Sequence, residues 1–307
     1  MAISLRKTAN AIPIAKIYKN GRSTENLLYL LPHSISNSII ETATQKKEYI
    51  CPNCQTKLHS KTAYLNHIRN ICKDNAKSQF KAEINLDINS TSKFFPIPNI
   101  DLKKDNLEHE IIFISGPPKC GKSYFMNEYV KLYNKILPEN NIFLITTHEE
   151  DDTLTFRDYK KLLVDDLLCT DSPQIQEFEN SLVVFDDIES SRHAKGTKYC
   201  WNLLDDINKN GRHYNISVII TNQECRMGKK SKALLTMMSK LVIFPACGSR
   251  YQYDRLLKEH LGFSVIQLNK LYAMPFDNDR NRFCLISRTA PQYVLTPFCA
   301  YMLRESI

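Results

Sequence analysis

Gly116, Gly121, Lys122 and Ser123 stand in the run Gly-Pro-Pro-Lys-Cys-Gly-Lys-Ser, and their types and spacing suit the holding of a phosphate chain. A glycine-bearing turn can fold its backbone N–H groups around β- and γ-phosphates, while Lys122 neutralises charge and the Ser123 hydroxyl reaches Mg²⁺. The expected nucleotide-binding residues are therefore Gly116, Pro117, Pro118, Lys119, Cys120, Gly121, Lys122 and Ser123, with ATP as the ligand. The flanks suit such a loop. Ile111 to Ile114 read as a fully buried strand, and Tyr124 to Tyr133 carry apolar residues at helical spacing.

Two later stretches can serve the same phosphates. Residues 181 to 187, Ser-Leu-Val-Val-Phe-Asp-Asp, are an apolar run closed by two carboxylates. Read as a strand neighbouring the loop strand, the run places Asp186 in the Mg²⁺ shell and Asp187 where it can polarise an attacking water. Paired acids after a strand also occur as a solvated turn, but their position downstream of a phosphate loop favours function. The next apolar run, Asn-Ile-Ser-Val-Ile-Ile-Thr-Asn-Gln, ends on Asn222 and Gln223. A strand-end amide can bond both the lytic water and the γ-phosphate, or it can simply cap the strand. Gly211-Arg212-His213 precedes that run. Arg212, with Arg226 ranked second, is the candidate to complete a neighbouring subunit's site, the alternative being a solvated helix end.

A different chemistry is spelled by Cys51, Cys54, His67 and Cys72. Cys-x-x-Cys makes a tight knuckle, and twelve residues separate it from His67, which with Cys72 falls about one helical turn apart. Four such ligands can close tetrahedrally around Zn²⁺, and the spacing resembles the ββα zinc finger with cysteine in place of the last histidine. On that pattern the base-facing positions are Ser60, Ala63 and Asn66, which include no arginine for guanine. Contact with DNA backbone through Lys57, Lys61 and Arg69, or binding of a protein partner, are equally open.

The elements that position these residues follow from composition and pattern. The chain has 307 residues, 43% of them hydrophobic, enough for a sizeable core. Apolar runs at 111–114, 141–147, 181–185, 216–221 and 241–244 alternate with helical stretches. The expected fold is an α/β P-loop NTPase with a mostly parallel sheet flanked by helices, plus a small N-terminal zinc finger. The expected division is 1–48 accessory segment, 49–73 zinc finger, 74–106 linker and 107–307 ATPase domain. No stretch approaches the roughly 20 apolar residues of a membrane span, and the N-terminus lacks the apolar block of a secretory signal. A soluble intracellular protein with reduced thiols and one metal site is expected from its ten cysteines. The net charge of +8 is uneven: residues 1–108 hold sixteen Lys/Arg against nine Asp/Glu, and the remainder twenty-five against twenty-four. The basic part suits a polyanionic partner or a solvated tail, whereas the even balance of the ATPase part shows no basic stripe.

The order of motifs across about 107 to 290 resembles the poxvirus-type genome-packaging ATPases of large DNA viruses and virophages, in the FtsK-HerA superfamily of DNA-pumping motors. The resemblance rests on Gly-Pro-Pro-Lys-Cys-Gly-Lys-Ser, Val-Val-Phe-Asp-Asp, Gly-Arg-His-Tyr-Asn-Ile-Ser and Thr-Asn-Gln. It implies ATP and Mg²⁺ on Lys122 and Ser123, metal on Asp186, Asp187 as base, Gln223 as sensor and Arg212 as a candidate finger. The second acid is often Glu in the superfamily, so Glu189 is a reserve base. The implied function is an oligomeric, ring-forming ATPase that packages double-stranded DNA into capsids, with capsid or portal partners, in the host cytoplasm (viral factory) or virion. A helicase or mobile-element ATPase with the same core is one alternative, and a zinc-finger DNA-binding regulator with an ATP-dependent switch is another. A nucleoside kinase is disfavoured by the lack of an Arg-rich lid segment.

Overall fold

The computed structural model describes residues 2–5, 7–8, 11–19, 22–31, 40–41, 49–50, 57–58, 92–101, 106–107, 109–149, 155–156, 159–168, 173–225, 229–274, 282–289 and 292–303. In chain order the strands are β1 (Ala2–Ser4), β2 (Ile12–Lys19), β3 (Arg22–Leu31), β4 (Ile40–Glu41), β5 (Tyr49–Ile50), β6 (Lys57–Leu58), β7 (Ser92–Pro96), β8 (Ile100–Asp101) and β9 (Asn106–Leu107). They continue with β10 (Ile111–Ser115), β11 (Asn141–Thr146), β12 (Lys160–Leu163), β13 (Ser181–Asp186), β14 (Ile216–Asn222), β15 (Lys240–Ile243), β16 (Cys284–Ser287), β17 (Tyr293–Leu295) and β18 (Cys299–Met302). The helices are α1 (Lys122–Ile136), α2 (Ala194–Asn210), α3 (Lys229–Met237), α4 (Arg250–Leu261) and α5 (Val265–Tyr272).

The central sheet runs β12-β11-β13-β14-β10-β15-β16-β17-β18-β4. Its pairs are parallel from β12 to β15 and antiparallel from β15 onward. Parallel strands covered on both faces must be apolar throughout, which is why β10, β13 and β14 are unbroken runs of buried residues. Their side chains nevertheless divide by alternation. Ile111 and Phe113 join Val183, Phe185, Val218 and Ile220 beneath α2 to α5, while Ile112 and Ile114 join Val184 and Ile219 beneath α1.

A second sheet, β1-β3-β2-β7, packs into the α1 face. Phe95 from β7, Phe125 from α1 and Phe283 ahead of β16 form an aromatic triad, with ring centroids 5.1 to 5.6 Å apart. The stretch read from sequence as a linker thus contributes a buried strand. Pro96 at its end hid it, while in the N-terminal segment β2 is bulged against β3 between Pro13 and Ala15 and between Lys16 and Tyr18. Each bulge breaks the period-two alternation that marks a strand.

Under the loop strand lies a buried polar cluster. Lys240 Nζ sits 2.5 Å from Glu110 Oε1, Tyr129 donates to the other Glu110 oxygen, and Lys240 also donates to the Ile97 carbonyl at 3.3 Å. Lys240 and Glu110 are 0% and 3% exposed. The cluster ties the chain leaving β7 to the foot of β10, to α1 and to the start of β15.

In the stretch expected from sequence to bind zinc, β5 and β6 pair antiparallel, with Tyr49 opposite Leu58 and Ile50 opposite Lys57. Cys51, Cys54, His67 and Cys72 lie outside the described residues. Among the described residues, no group of three or more His, Cys, Asp or Glu is placed to hold a metal, and no helix is long and apolar enough to cross a membrane.

Candidate functional site

The parallel register brings the carboxyl ends of three strands level. Ser115 lies opposite Asn222 across β10 and β14, and Asp186 lies opposite Thr221 across β13 and β14. One feature differs from the sequence expectation. β13 is not the neighbour of the loop strand, because β14 stands between them. Two strand spacings are roughly 10 Å, so Asp186 and the loop flank a gap wide enough for phosphate and metal instead of touching.

The loop starts as an extension of the sheet, with Gly116 N–H donating to the Asn222 carbonyl at 3.1 Å. A methyl group on Gly116 would come 2.7 Å from Cys120 Sγ and 2.8 Å from Phe244, so no side chain fits there. Gly121 has φ +114°, a conformation that glycine adopts without strain, and it turns the chain into α1. Lys122 Nζ donates to the Gly116 and Pro117 carbonyls at 2.8 and 3.2 Å, which holds the ammonium at the mouth of the loop. Ser123 is the second residue of α1. Burial pushes the Cys120 thiol pKa up against the pull of the Lys122 charge. Burial also pushes Cys225 up to about 11, although the Ser115 hydroxyl donates to its sulfur at 3.2 Å and opposes the shift. Both are neutral thiols near pH 7, so the loop carries no cysteine nucleophile.

Opposite the loop, one hydroxyl organises both acids. Thr221 Oγ1 donates to Asp186 Oδ1 at 2.5 Å and accepts from the Asp187 N–H at 3.1 Å. Asp186 is buried, whereas Asp187 is half-buried with φ +49°, an uncommon backbone state for a residue with a side chain. That turn directs the two carboxylates differently. Gln223 Nε2 then donates to Asp187 Oδ2 at 2.8 Å, so the strand-end amide and the acid form one unit. Glu189 Oε1 instead accepts from Trp201 Nε1 at 2.5 Å, which commits it to α2.

The structure thus brings together the loop, Asp186, Asp187 and Gln223, and it does not bring Arg212 to them. Arg212 lies in the turn Gly211–Tyr214, before β14 begins, exposed and near His109 at the amino end of the strands. Burial lowers the His109 pKa, against a contact with the Ile216 carbonyl and with a smaller contribution from the Arg212 charge. The length of β14 separates Arg212 from the site, roughly 20 Å at the usual rise per residue. Arg226 lies outside the described residues. Sequence reasoning included Thr221 in the Thr-Asn-Gln motif but gave it no role, because threonine at the end of a β-branched run looks like a strand former alone.

The residues present fit a magnesium nucleotide. A buried carboxylate oriented by a hydroxyl suits a hard cation, and a glycine cradle with a lysine at its mouth suits phosphate. Ser123 and Asp186 would hold the metal, which when bound supplies charge neutralisation to the phosphates.

Residues 108–247 match the family model described as an AAA domain. "Uncharacterized protein V3" of Sputnik virophage is 27% identical over 206 residues, covering 66% of this chain and 78% of that protein. The genome packaging NTPase B204 of Sulfolobus turreted icosahedral virus 2, in complex with AMPPCP, superposes with TM-score 0.43 and 11% identity, over 62% of this chain and 98% of that one. The cytoplasmic domain of the Thermomonospora curvata Type VII secretion ATPase EccC gives TM-score 0.42 and 16% identity, over 62% and 25%. The matched residues 108–247 contain the loop, both acids and Gln223.

Replacing Thr221 by Val keeps the shape and removes the hydroxyl that both acids use. Turnover is expected to fall at least ~10-fold with nucleotide affinity little changed, since geometry at the reacting centre is lost while the loop stays intact. Parallel measurement of nucleotide binding and hydrolysis checks this, and full turnover in the variant would show that the hydroxyl positions nothing.

Proposed function

We propose that this chain is an ATP-driven motor that moves double-stranded DNA into viral capsids. The observation that carries the reading is the Gln223–Asp187 hydrogen bond at 2.8 Å, on the strand between the phosphate loop and the acids. A water set between Asp187 and a γ-phosphate would lose its proton to the carboxylate. Release of γ-phosphate would then change what Gln223 bonds, and β14 would carry that change into the fold. Lys122 neutralises the transferred charge, Ser123 and Asp186 hold Mg²⁺, and Asp187 is the base.

The DNA-packaging part of the reading is supported by the order of the four motifs, and its viral setting by the virophage relative. The host cytoplasm, at a viral factory, or the virion is the corresponding location. A ring is the oligomer in which Arg212 would act as a finger. At the opposite edge of its own sheet Arg212 cannot serve its own loop, so as a finger it serves a neighbour. Capsid or portal proteins are the partners such a ring would dock on.

Cys51, Cys54, His67 and Cys72 are assigned to Zn²⁺ in the same proposal. The β5–β6 pairing supports it, because it opposes Ile50 to Lys57, which bracket the Cys-x-x-Cys stretch in the sequence. Elemental analysis of the purified chain should give one zinc per chain, lost in Cys51→Ser. No zinc in the unaltered chain would remove the assignment.

ATP hydrolysis by the purified protein, with and without duplex DNA at low salt and with Lys122→Ala as the blank, tests the motor. Stimulation of several-fold or more by duplex, absent in the blank, is expected. Nucleotide binding without turnover under every DNA condition would replace the motor with a switch, and strand separation during translocation would make it a helicase.

A further inference from the structure

The ATPase part of the sequence is nearly balanced in charge, yet the fold segregates it. α2 starts seven residues after Asp187, at the nucleotide edge of the sheet, and runs back toward the opposite edge. Its first turns expose Lys195, Lys198 and Asn202, spaced three and four residues apart and therefore on one face, with Arg192 just ahead of the helix. Among the described residues no carboxylate lies within 4.0 Å of Arg192, Lys195 or Lys198. Three nearby acids are engaged elsewhere, and exposed Asp206 lies about two turns beyond Lys198. Asp165 is 3.8 Å from His193, Asp205 is 2.5 Å from Lys209, and Glu189 accepts from Trp201. The sequence also places Lys229, Lys230 and Lys232 in the first turn of α3, which packs beside α2 in the same core.

We propose that this face of α2, formed by Arg192, Lys195, Lys198 and Asn202, grips the phosphate backbone of duplex DNA. The inference rests on the motor reading above and says which surface of the motor touches its track. Three exposed cations and one amide on about two helical turns fit the charge line of a duplex and carry no base-reading geometry, so the grip is independent of sequence. A protein that moves along DNA needs that property.

The face is also tied to the catalytic turn. Trp201 on α2 donates to Glu189 at 2.5 Å, and Thr197 donates to the Ile188 carbonyl at 3.4 Å. Ile188 and Glu189 directly follow Asp187, and Ser190 donates to the Asp187 carbonyl through both its N–H and its hydroxyl, at 3.0 and 2.7 Å. A shift of the Asp187 turn on hydrolysis is thereby passed to α2 and to whatever its face holds. Hydrolysis and movement along the duplex share one short lever.

The test uses the full chain with Arg192→Gln, Lys195→Gln and Lys198→Gln combined, beside a control with Lys19→Gln, Lys135→Gln and Lys258→Gln, three exposed lysines elsewhere. Basal hydrolysis without DNA, duplex concentration for half-maximal stimulation, and duplex affinity against salt are measured for both. Expected is unchanged basal turnover, a rise of at least ~10-fold in the half-maximal duplex concentration, and a log–log salt slope smaller by about 3, one for each phosphate contact removed. The control should keep the unaltered protein's slope. If the unaltered protein responds to duplex and the α2 variant matches it, or the control falls equally, the surface is wrong and the motor reading stands. If the unaltered protein neither binds nor responds to duplex, the motor reading itself falls. Should the combined variant lose basal turnover, Lys195→Gln and Lys198→Gln singly replace it. Each is expected to lower the slope by about 1, and no change in either would overturn the assignment.

Discussion

The parallel ladder joining β10, β14 and β13 is the constraint on which the site depends. Opposing Ser115 to Asn222 and Asp186 to Thr221 brings residues more than a hundred positions apart in the chain to one edge. A slip of one residue in either pairing would turn the alternate side chains to the wrong face and pull the acids off the edge together. Burial on both faces prevents the slip, because each strand's odd and even residues already belong to different cores. The same packing that stabilises the sheet therefore fixes the distance between the phosphate cradle and the carboxylates.

The foot of the loop strand is held by a different force. A buried charge stripped of its partner costs about 3–5 kcal/mol, so the Lys240–Glu110 pair, 2.5 Å apart, needs further polar partners beside it. Tyr129 and the Ile97 carbonyl are those partners, one from the helix that follows the loop and one from the chain leaving β7. The second sheet is thereby attached to the nucleotide-binding elements by polar contacts as well as by the Phe95–Phe125–Phe283 cluster. Binding at the loop and the placement of the N-terminal strands share this support.

The central strands and the loop were legible in the sequence because a fully buried parallel strand has no choice but to be an apolar run, and a phosphate loop has little choice of residue type. Asp186, Asp187 and Gln223 were legible as strand ends, but their mutual contacts were not, since those depend on β14 lying between β10 and β13. Thr221 stood in the Thr-Asn-Gln motif but its role was not legible, as its hydroxyl matters only through what it faces. The position of Arg212 was readable in principle, because a residue before a parallel strand lies at the edge opposite the residue after it. The strands of the second sheet were obscured by bulges and by Pro96, and the basic face of α2 by acids that the fold pairs elsewhere.

The central claim is that this strand edge hydrolyses ATP with Asp187 as the base, and Asp187→Asn tests it most directly. The variant keeps the size of the side chain and removes its proton-accepting charge. Nucleotide binding within a few-fold of the unaltered protein, with turnover lower by ~10²-fold or more, is the predicted result for loss of a general base. Turnover near the unaltered rate would contradict the assignment and move the base elsewhere on the edge.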